Sequence, residues 1–116
     1  MEGELVLMIM SGVEDGNERH YELVQGDGIW ESGSWILTLG RHERNDIMIR
    51  YDSFISRFHG ELILTNGKWT YKDLNSTNGS FYEDPTDFFN DIRFDGSISI
   101  APRQLFRVGR TWICIG

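Results

Sequence analysis

The feature that most constrains the fold of this chain is a succession of short apolar or alternating segments separated by turns rich in glycine. A period of two residues is that of a β-strand with one buried face, and no window of about a dozen residues shows the apolar spacing of a capped helix. About eleven short strands at regular spacing predict an all-β fold, an antiparallel β-sandwich with its loops gathered at the two ends. The predicted strands are 5–10, 19–24, 35–41, 47–50, 59–64, 68–74, 80–82, 92–94, 97–100, 104–109 and 111–115.

Two connections carry their own local signal. Asn66-Gly67 stands between two alternating segments and predicts a tight hairpin. The stretch 86–92, TDFFNDI, follows a proline and is the one place where a helical turn is expected. The glycine-rich segment 25–34 is predicted to be a longer loop.

Length, charge and cysteine content narrow the class of protein. The 116 residues suit one domain, and neither a linker nor an internal repeat divides residues 1–116. The net charge of −7 argues against general nucleic-acid binding, and no apolar run approaches the ~20 residues that cross a membrane. Cys114 is the only cysteine and is expected to be a small core residue, which fits a reducing, cytoplasmic setting.

Three polar loops, 40–46, 56–59 and 75–80, are rich in groups that bind oxyanions. Two arginines supply planar cations, three hydroxyls supply donors and one asparagine supplies an amide, a set able to hold a phosphate dianion. These residues are Arg41, Arg57, Ser56, Ser76, Thr77 and Asn78. Taken singly, each loop has an ordinary explanation as a turn or a solvated surface, so spacing leaves a phosphate site as one hypothesis among several.

The alternative to a binding protein is an enzyme, and the residues argue against one. Ser56, His59 and an aspartate could form a hydrolytic triad, but the chain has no Gly-x-Ser-x-Gly elbow. His20, His42 and His59 lie on separate segments without metal-ligand spacing, and no glycine-rich phosphate loop precedes a helix. We therefore expect a binding protein rather than an enzyme, with no metal and no cofactor.

The order of the polar blocks resembles that of the forkhead-associated (FHA) domain. The resemblance extends over about residues 5–116, and four separated blocks in the same order are far more specific than any one of them. The matching pieces are Gly40-Arg41, Asn45-Asp46, Ser56-Arg57-Phe58-His59, Trp69 and the run from Asp73 to Phe81, with the core motifs between residues 40 and 81.

That resemblance implies an eleven-stranded sandwich of the FHA/SMAD type that recognises phosphothreonine in a partner protein marked by a Ser/Thr protein kinase. It implies phosphate binding by Arg41, Ser56 and Thr77, with Arg57 assisting, and a grip on the peptide backbone by Asn78. By the same resemblance, the positions that shape the loops without touching the ligand are Gly40, His59 and Gly79.

Two features depart from the family pattern. The segment 83–97 is longer and more acidic than usual, and if it lay beside the site it would disfavour acidic residues next to the phosphothreonine. Gly109-Arg110 repeats the dipeptide of Gly40-Arg41 at a place where the family has no ligand, and it is interpreted as chance.

The competing function is a phosphate-independent protein contact through a sheet face. Such a contact would use an exposed aromatic residue, with Trp30, Trp35 and Phe88 as candidates. Oligomeric state does not follow from the sequence.

Overall fold

A computed structural model describes residues 3–87 and 89–116. Those residues form twelve strands and one 3-10 turn, Leu23–Gln25. The strands are β1 (Glu4–Ile9), β2 (Glu18–Glu22), β3 (Ile29–Glu31), β4 (Ser34–Gly40), β5 (Ile47–Met48), β6 (Gly60–Thr65), β7 (Lys68–Asp73), β8 (Ser80–Glu83), β9 (Asp91–Phe94), β10 (Ser97–Ile100), β11 (Phe106–Val108) and β12 (Thr111–Ile115).

The strands form two sheets, which confirms the predicted β-sandwich. One sheet has the order β2-β1-β12-β11-β8-β9. The other has the order β10-β7-β6-β4-β3, with β5 also paired to β4. All pairs are antiparallel except β4 with β5, which run parallel. The β5 segment therefore leaves the sheet at the same end as β4, and this brings two of the polar loops together.

The core lies between the sheets and follows the predicted alternation. Leu5, Leu7 and Ile9 of β1 are buried, as are Leu37 and Leu39 of β4. Each such side chain stabilises the fold by roughly 1.5–3 kcal/mol relative to leaving it in water. Cys114 is also buried, but it pairs with Met8 on the outer face of its sheet and not in the core cluster where the sequence placed it. The sandwich is thus a rigid support for the loops at its ends.

The Asn66-Gly67 hairpin is confirmed. Both residues have positive φ, 50° and 76°, and they join β6 to β7 in continuous antiparallel register. Two positive φ values in a two-residue loop match the twist of the flanking strands, which explains why asparagine and glycine stand there.

Three expectations from the sequence need correction. The segment 25–34, predicted to be one loop, contains strand β3, whose three residues are too few to show an alternating pattern in the sequence. Trp35 is fully buried, and its indole N–H donates to the carbonyl oxygen of Asp27 at 2.7 Å, so it offers nothing to a partner. In the segment 86–92, where a helical turn is expected, Asp87 N and Asn90 N donate to the carbonyl oxygens of Asp84 and Asp87. Residues 91 and 92 begin strand β9, and Phe88 lies outside the described residues.

Within residues 3–87 and 89–116, no helix is long and apolar enough to cross a membrane. The same residues contain no group of three or more histidine, cysteine, aspartate or glutamate side chains arranged to hold a metal ion.

Candidate functional site: three loops at one end of the sandwich

The three polar loops lie at the same end of the molecule because of strand register. Backbone hydrogen bonds join the first two: Arg41 N donates to Ser56 O at 3.0 Å, and His42 N donates to Arg57 O at 3.1 Å. Gly40 makes this approach possible, since a Cβ there would lie 2.1 Å from the carbonyl oxygen of Arg57. Only glycine fits at this position without moving a loop.

The buried Asn45 side chain closes the same junction. Its Nδ2 group donates to the carbonyl oxygens of His42 and Arg57, at 2.8 Å and 2.6 Å. The neighbouring Asp46 carboxylate accepts from the backbone N–H groups of Gly28 and Thr38. Both residues therefore hold the first loop in place and point away from a ligand.

His59 ties the second loop to the third. Its Nδ1 accepts from the backbone N–H of Ser56 at 3.0 Å, so the ring proton is on Nε2, which lies 2.9 Å from the carbonyl oxygen of Gly79. Burial lowers the pKa of His59 below its ordinary value, although the Gly79 carbonyl opposes the shift. A neutral ring with one donor and one acceptor is what these two partners require.

The third loop is folded around the carboxylate of Asp73. This group accepts from the hydroxyls of Ser76 and Ser80, at 2.6 Å and 2.7 Å, and from the Ser76 backbone N–H at 3.0 Å. Burial works to raise the pKa of Asp73, but these hydrogen bonds together outweigh it, and the pKa is lowered. The ionised carboxylate thus organises the turn that begins at Asn75.

Ser76 is consequently not available as a phosphate donor, contrary to the sequence-based hypothesis. It is buried, its hydroxyl donates to Asp73, and the same oxygen accepts from Gly79 N at 3.1 Å. Gly79 itself has φ of +89°, and a Cβ there would lie 2.6 Å from Nε of Arg93. The serine and the glycine shape the loop from inside.

The groups left facing outward are the other predicted ligands. Ser56 is half-buried, whereas Arg41, Arg57 and Thr77 are exposed. The Nε of Arg41 donates to the carbonyl oxygen of Ile55 at 3.1 Å, which fixes the guanidinium beside Ser56. The Ser56 hydroxyl oxygen in turn accepts from Thr77 N at 3.2 Å. Cations and hydroxyls therefore converge at one place from three loops that are distant in sequence.

Asn78 lies at the edge of this group. Its side-chain Nδ2 donates to the carbonyl oxygen of Phe54 at 3.0 Å, which orients the amide while leaving its carbonyl oxygen for another partner. A side-chain amide offers both a donor and an acceptor, the two functions that a peptide backbone presents.

A small cavity of about 270 Å³ beside these groups adds cations that sequence reasoning missed. Three arginines and one glutamate line it, together with His42 and Met48; the charged residues are Arg41, Arg50, Arg57 and Glu43. No signal local to Arg50 distinguishes it from a solvated residue at the end of a strand. Only the parallel pairing of β5 with β4 places it at this cavity.

The Gly109-Arg110 turn, whose likeness to Gly40-Arg41 is interpreted as chance, packs against the segment before the second loop and against the third loop. The Arg110 guanidinium carbon lies 3.7 Å from the centre of the Phe54 ring, and Arg110 N donates to the Asp52 carboxylate at 2.8 Å. Gly109 N donates to the carbonyl oxygen of Gly79 at 3.3 Å. The turn supports both the second and the third loop from behind.

The acidic segment 83–97 starts at the far end of β8 and returns to the third loop along β9. Strand β8 starts at Ser80 in the third loop and ends at Glu83, about 10 Å further along at ~3.3 Å per residue. The described residues 84–87, 89 and 90 lie beyond that end, and Asp91 is paired with Arg107 at 3.2 Å.

Strand β9 then returns, so that Phe94 pairs with Ser80 and the carbonyl oxygen of Gly96 accepts from Asp73 N at 2.8 Å. Most of the acids of the segment therefore lie away from the third loop, whereas Asp95 lies at its return, and the predicted preference against acidic peptides stays a prediction.

Comparisons with known proteins agree with this architecture. The family model described as the FHA domain matches residues 37–93. In structure, the chain is similar to the FHA domain of the CT664 protein from Chlamydia trachomatis, with 21% identity, a TM-score of 0.71 and coverage of 97% of this chain and 95% of that one. An FHA domain of an Arabidopsis thaliana hypothetical protein gives 23% identity, a TM-score of 0.72 and coverage of 98% and 85%.

A third similar structure is Mycobacterium tuberculosis EmbR in complex with a low-affinity phosphopeptide, with 16% identity and a TM-score of 0.69. The match covers 97% of this chain and 24% of that one. At these identities the structural likenesses establish the fold. No curated protein matches the chain in sequence.

Proposed function

The chain belongs to the forkhead-associated (FHA) domain family, and from that membership we propose that it is a phosphopeptide-binding module that recognises phosphothreonine in a partner protein. The observation that carries the proposal is the convergence of Arg41, Ser56 and Thr77 at one end of the sandwich. These groups come from three loops joined by backbone and histidine hydrogen bonds, so they are positioned before a ligand arrives. Preorganised donors lose little conformational entropy on binding.

The proposed contacts follow from the chemistry of each group. Arg41 presents its two terminal nitrogens, because Nε is already engaged, and such a pair suits bidentate contact with phosphate oxygens. Arg57 adds a second cation. Ser56 and Thr77 donate from their hydroxyls, and Asn78 binds the peptide backbone next to the phosphorylated residue.

A preference for phosphothreonine over phosphoserine has a physical basis in the extra methyl group. Burying one methyl contributes on the order of 0.8 kcal/mol, and the β-branched side chain is stiffer at χ1 before binding. The partner would be the substrate of a Ser/Thr protein kinase, in a cytoplasmic signalling pathway. The protein would act by binding and not by catalysis, without a cofactor, nucleic acid or membrane.

The test is a titration with three matched peptides that carry phosphothreonine, phosphoserine or unmodified threonine, against wild type and Arg41→Ala. We expect selective binding of the phosphothreonine peptide, weakened by added salt because charged groups dominate the contact. Loss of one charge-assisted bidentate contact in Arg41→Ala should reduce affinity by roughly 2–3 kcal/mol, or 30- to 150-fold. Equal binding of all three peptides would contradict the proposal.

The second candidate function, a phosphate-independent contact through a sheet face, is favoured by strand β3. Ile29 and Trp30 on this edge strand are 64% and 52% exposed, which is unusual for such large apolar side chains. A partner bound there would be lost in Trp30→Ala and retained in Arg41→Ala. The reverse pattern supports the phosphopeptide site.

A further inference from the structure

More arginines line the cavity beside the proposed phosphate site than the proposed phosphate contact involves. Arg41 and Arg57 are assigned to the phosphate, and Arg50 lines the same cavity as a third arginine. Three like charges that face one space of about 270 Å³ repel one another unless an anion enters. This is a local excess in a chain whose net charge is −7.

Arg50 lies two residues after strand β5, and the backbone just before it is held by β4. Ile49 is buried, and its N–H donates to the carbonyl oxygen of Gly40 at 3.0 Å. In this parallel register Gly40 is opposite Met48, so Arg50 follows two residues beyond the pair and lines the same cavity as Arg41. Arg50 is exposed, so its guanidinium can reach a ligand held by Arg41.

Within residues 3–87 and 89–116, Arg41, Arg50 and Arg57 form no ion pair with a carboxylate, whereas Arg19 and Arg107 do. Arg50 also lines an adjacent cavity with Glu14 and Asp46. Those two acids are already engaged, Glu14 with Arg19 and Asp46 with backbone N–H groups. Among the described residues that line the cavity, Glu43 is the only acid to offset the three arginines.

We propose that Arg50 is a specificity-determining residue that selects a second anionic group on the bound phosphopeptide, close in sequence to the phosphothreonine. The inference rests on the proposed function and deepens it. The anion is the carboxylate of an aspartate or glutamate, or a second phosphate. This preference for acidic flanking residues is the opposite of the preference against them that the acidic segment 83–97 would impose.

The experiment compares four sets of peptides, each with one phosphothreonine and otherwise neutral flanks. In three sets a glutamate, a lysine or a phosphoserine is moved through each flanking position in turn, and the fourth set stays neutral. Binding is measured for wild type, Arg50→Ala, Arg50→Glu and Arg44→Ala. Arg44→Ala is the matched control. It removes the same charge from the loop 40–46, and Arg44 does not line the cavity.

For wild type we expect one flanking position at which glutamate improves binding over the neutral peptide by roughly two- to five-fold, the upper part of the range for an exposed ion pair. The glutamate and phosphoserine sets distinguish a carboxylate from a second phosphate as the anion that is selected. In Arg50→Ala the ratio between acidic and neutral peptides falls to about one, and in Arg50→Glu lysine is favoured there. In Arg44→Ala the ratio is unchanged.

Three results would overturn the inference while leaving the proposed function in place. One is the absence of any acidic preference in wild type. Another is a loss of affinity in Arg50→Ala that is equal for neutral and acidic peptides, which would make Arg50 a third ligand of the same phosphate. The third is a loss of the acidic preference in Arg44→Ala as large as in Arg50→Ala, which would make the preference a diffuse charge effect. Failure of wild type to bind the neutral phosphothreonine peptide would instead contradict the proposed function.

Discussion

The hydroxyl oxygen of Ser56 accepts a hydrogen bond from the backbone N–H of Thr77 at 3.2 Å, although the two residues are 21 positions apart. Because that oxygen acts as the acceptor toward Thr77 N–H, the hydroxyl hydrogen of Ser56 is left to donate elsewhere. The contact therefore joins two loops and also orients a donor toward the outward face of the site.

We predict that Ser56→Ala weakens phosphopeptide binding by about 1.5–3 kcal/mol, or roughly 10- to 150-fold, through loss of a hydrogen bond to a charged group. Isothermal titration at fixed salt measures this loss. Ser53→Ala is the control, since Ser53 is an exposed serine three residues before Ser56. Similar affinities for the two variants would show that the Ser56 hydroxyl does not reach the phosphate.

The neutral His59 predicts a pH-dependent stability. Burial keeps the pKa of His59 low in the folded state, so below about pH 6.5 the unfolded chain takes up a proton that the folded chain does not. The free energy of unfolding therefore falls as pH decreases from that value toward the folded-state pKa, by at most about 1.4 kcal/mol per pH unit. Asp73 acts in the same direction, but only near and below its own ordinary pKa of about 3.9.

Urea unfolding at several pH values between 7 and 5 measures this slope for wild type, His59→Gln and His20→Gln. His20 is the control because its side chain is 65% exposed. The slope should persist in His20→Gln and be largely lost in His59→Gln. An unchanged slope in His59→Gln would assign the pH dependence to another group.

Gly40→Ala should be strongly destabilising for a steric reason. The added Cβ would lie 2.1 Å from the carbonyl oxygen of Arg57, a backbone atom that cannot rotate away. We expect a loss of roughly 2–4 kcal/mol in unfolding free energy, in the range of overpacked or strained core sites.

Gly12→Ala provides the comparison. Gly12 has φ of +79° with open space around it, so that substitution costs only backbone strain, about 1 kcal/mol. Equal losses in the two variants, measured by chemical denaturation, would show that the loops can separate at Gly40 without cost.

Arg110→Ala should affect binding through the second loop. The guanidinium packs 3.7 Å from the Phe54 ring centre, and the carbonyl of Phe54 holds the Asn78 amide. We expect a loss of about 0.5–1 kcal/mol in stability and a two- to five-fold weaker phosphopeptide affinity. Arg110→Lys keeps a cation over the ring and should retain most of the stability and most of the phosphopeptide affinity. Identical losses in Arg110→Ala and Arg110→Lys would exclude the cation–π contact as the cause.

Trp30 on the edge strand β3 and Trp35 on the neighbouring strand β4 should differ strongly in how much their substitution changes stability. Trp35→Phe removes a buried indole N–H that donates to Asp27 O, and should cost about 1–3 kcal/mol of stability. Trp30→Ala changes a side chain that is 52% exposed, and should cost less than about 1 kcal/mol. Thermal unfolding followed by circular dichroism measures both; a larger loss for Trp30→Ala would contradict the placement of β3 at the sheet edge.

Much of the fold follows from local pattern. Alternation along β1 and β4 identifies the buried residues, because a strand turns every second side chain to the same face. Asn66-Gly67 specifies its hairpin through backbone conformations that few other residues adopt. The order of the polar blocks points to the FHA family and to the outward-facing side chains of the three loops.

What the sequence could not decide is which polar side chains face a ligand and which face the protein. Ser76 and Thr77 are adjacent hydroxyl residues, yet the first is turned inward by Asp73 and the second is exposed. Arg50 looks like an ordinary surface arginine until the parallel pairing of β5 with β4 brings it to the cavity that Arg41 also lines.

The physical reason for this division is the range of the interactions. Periodicity and turn conformation are set by neighbours a few positions away, so the sequence alone determined the strands, the core faces and the hairpin. The cavity of three arginines depends on sheet register and on hydrogen bonds between loops far apart in the chain, which exist only once the sandwich has formed.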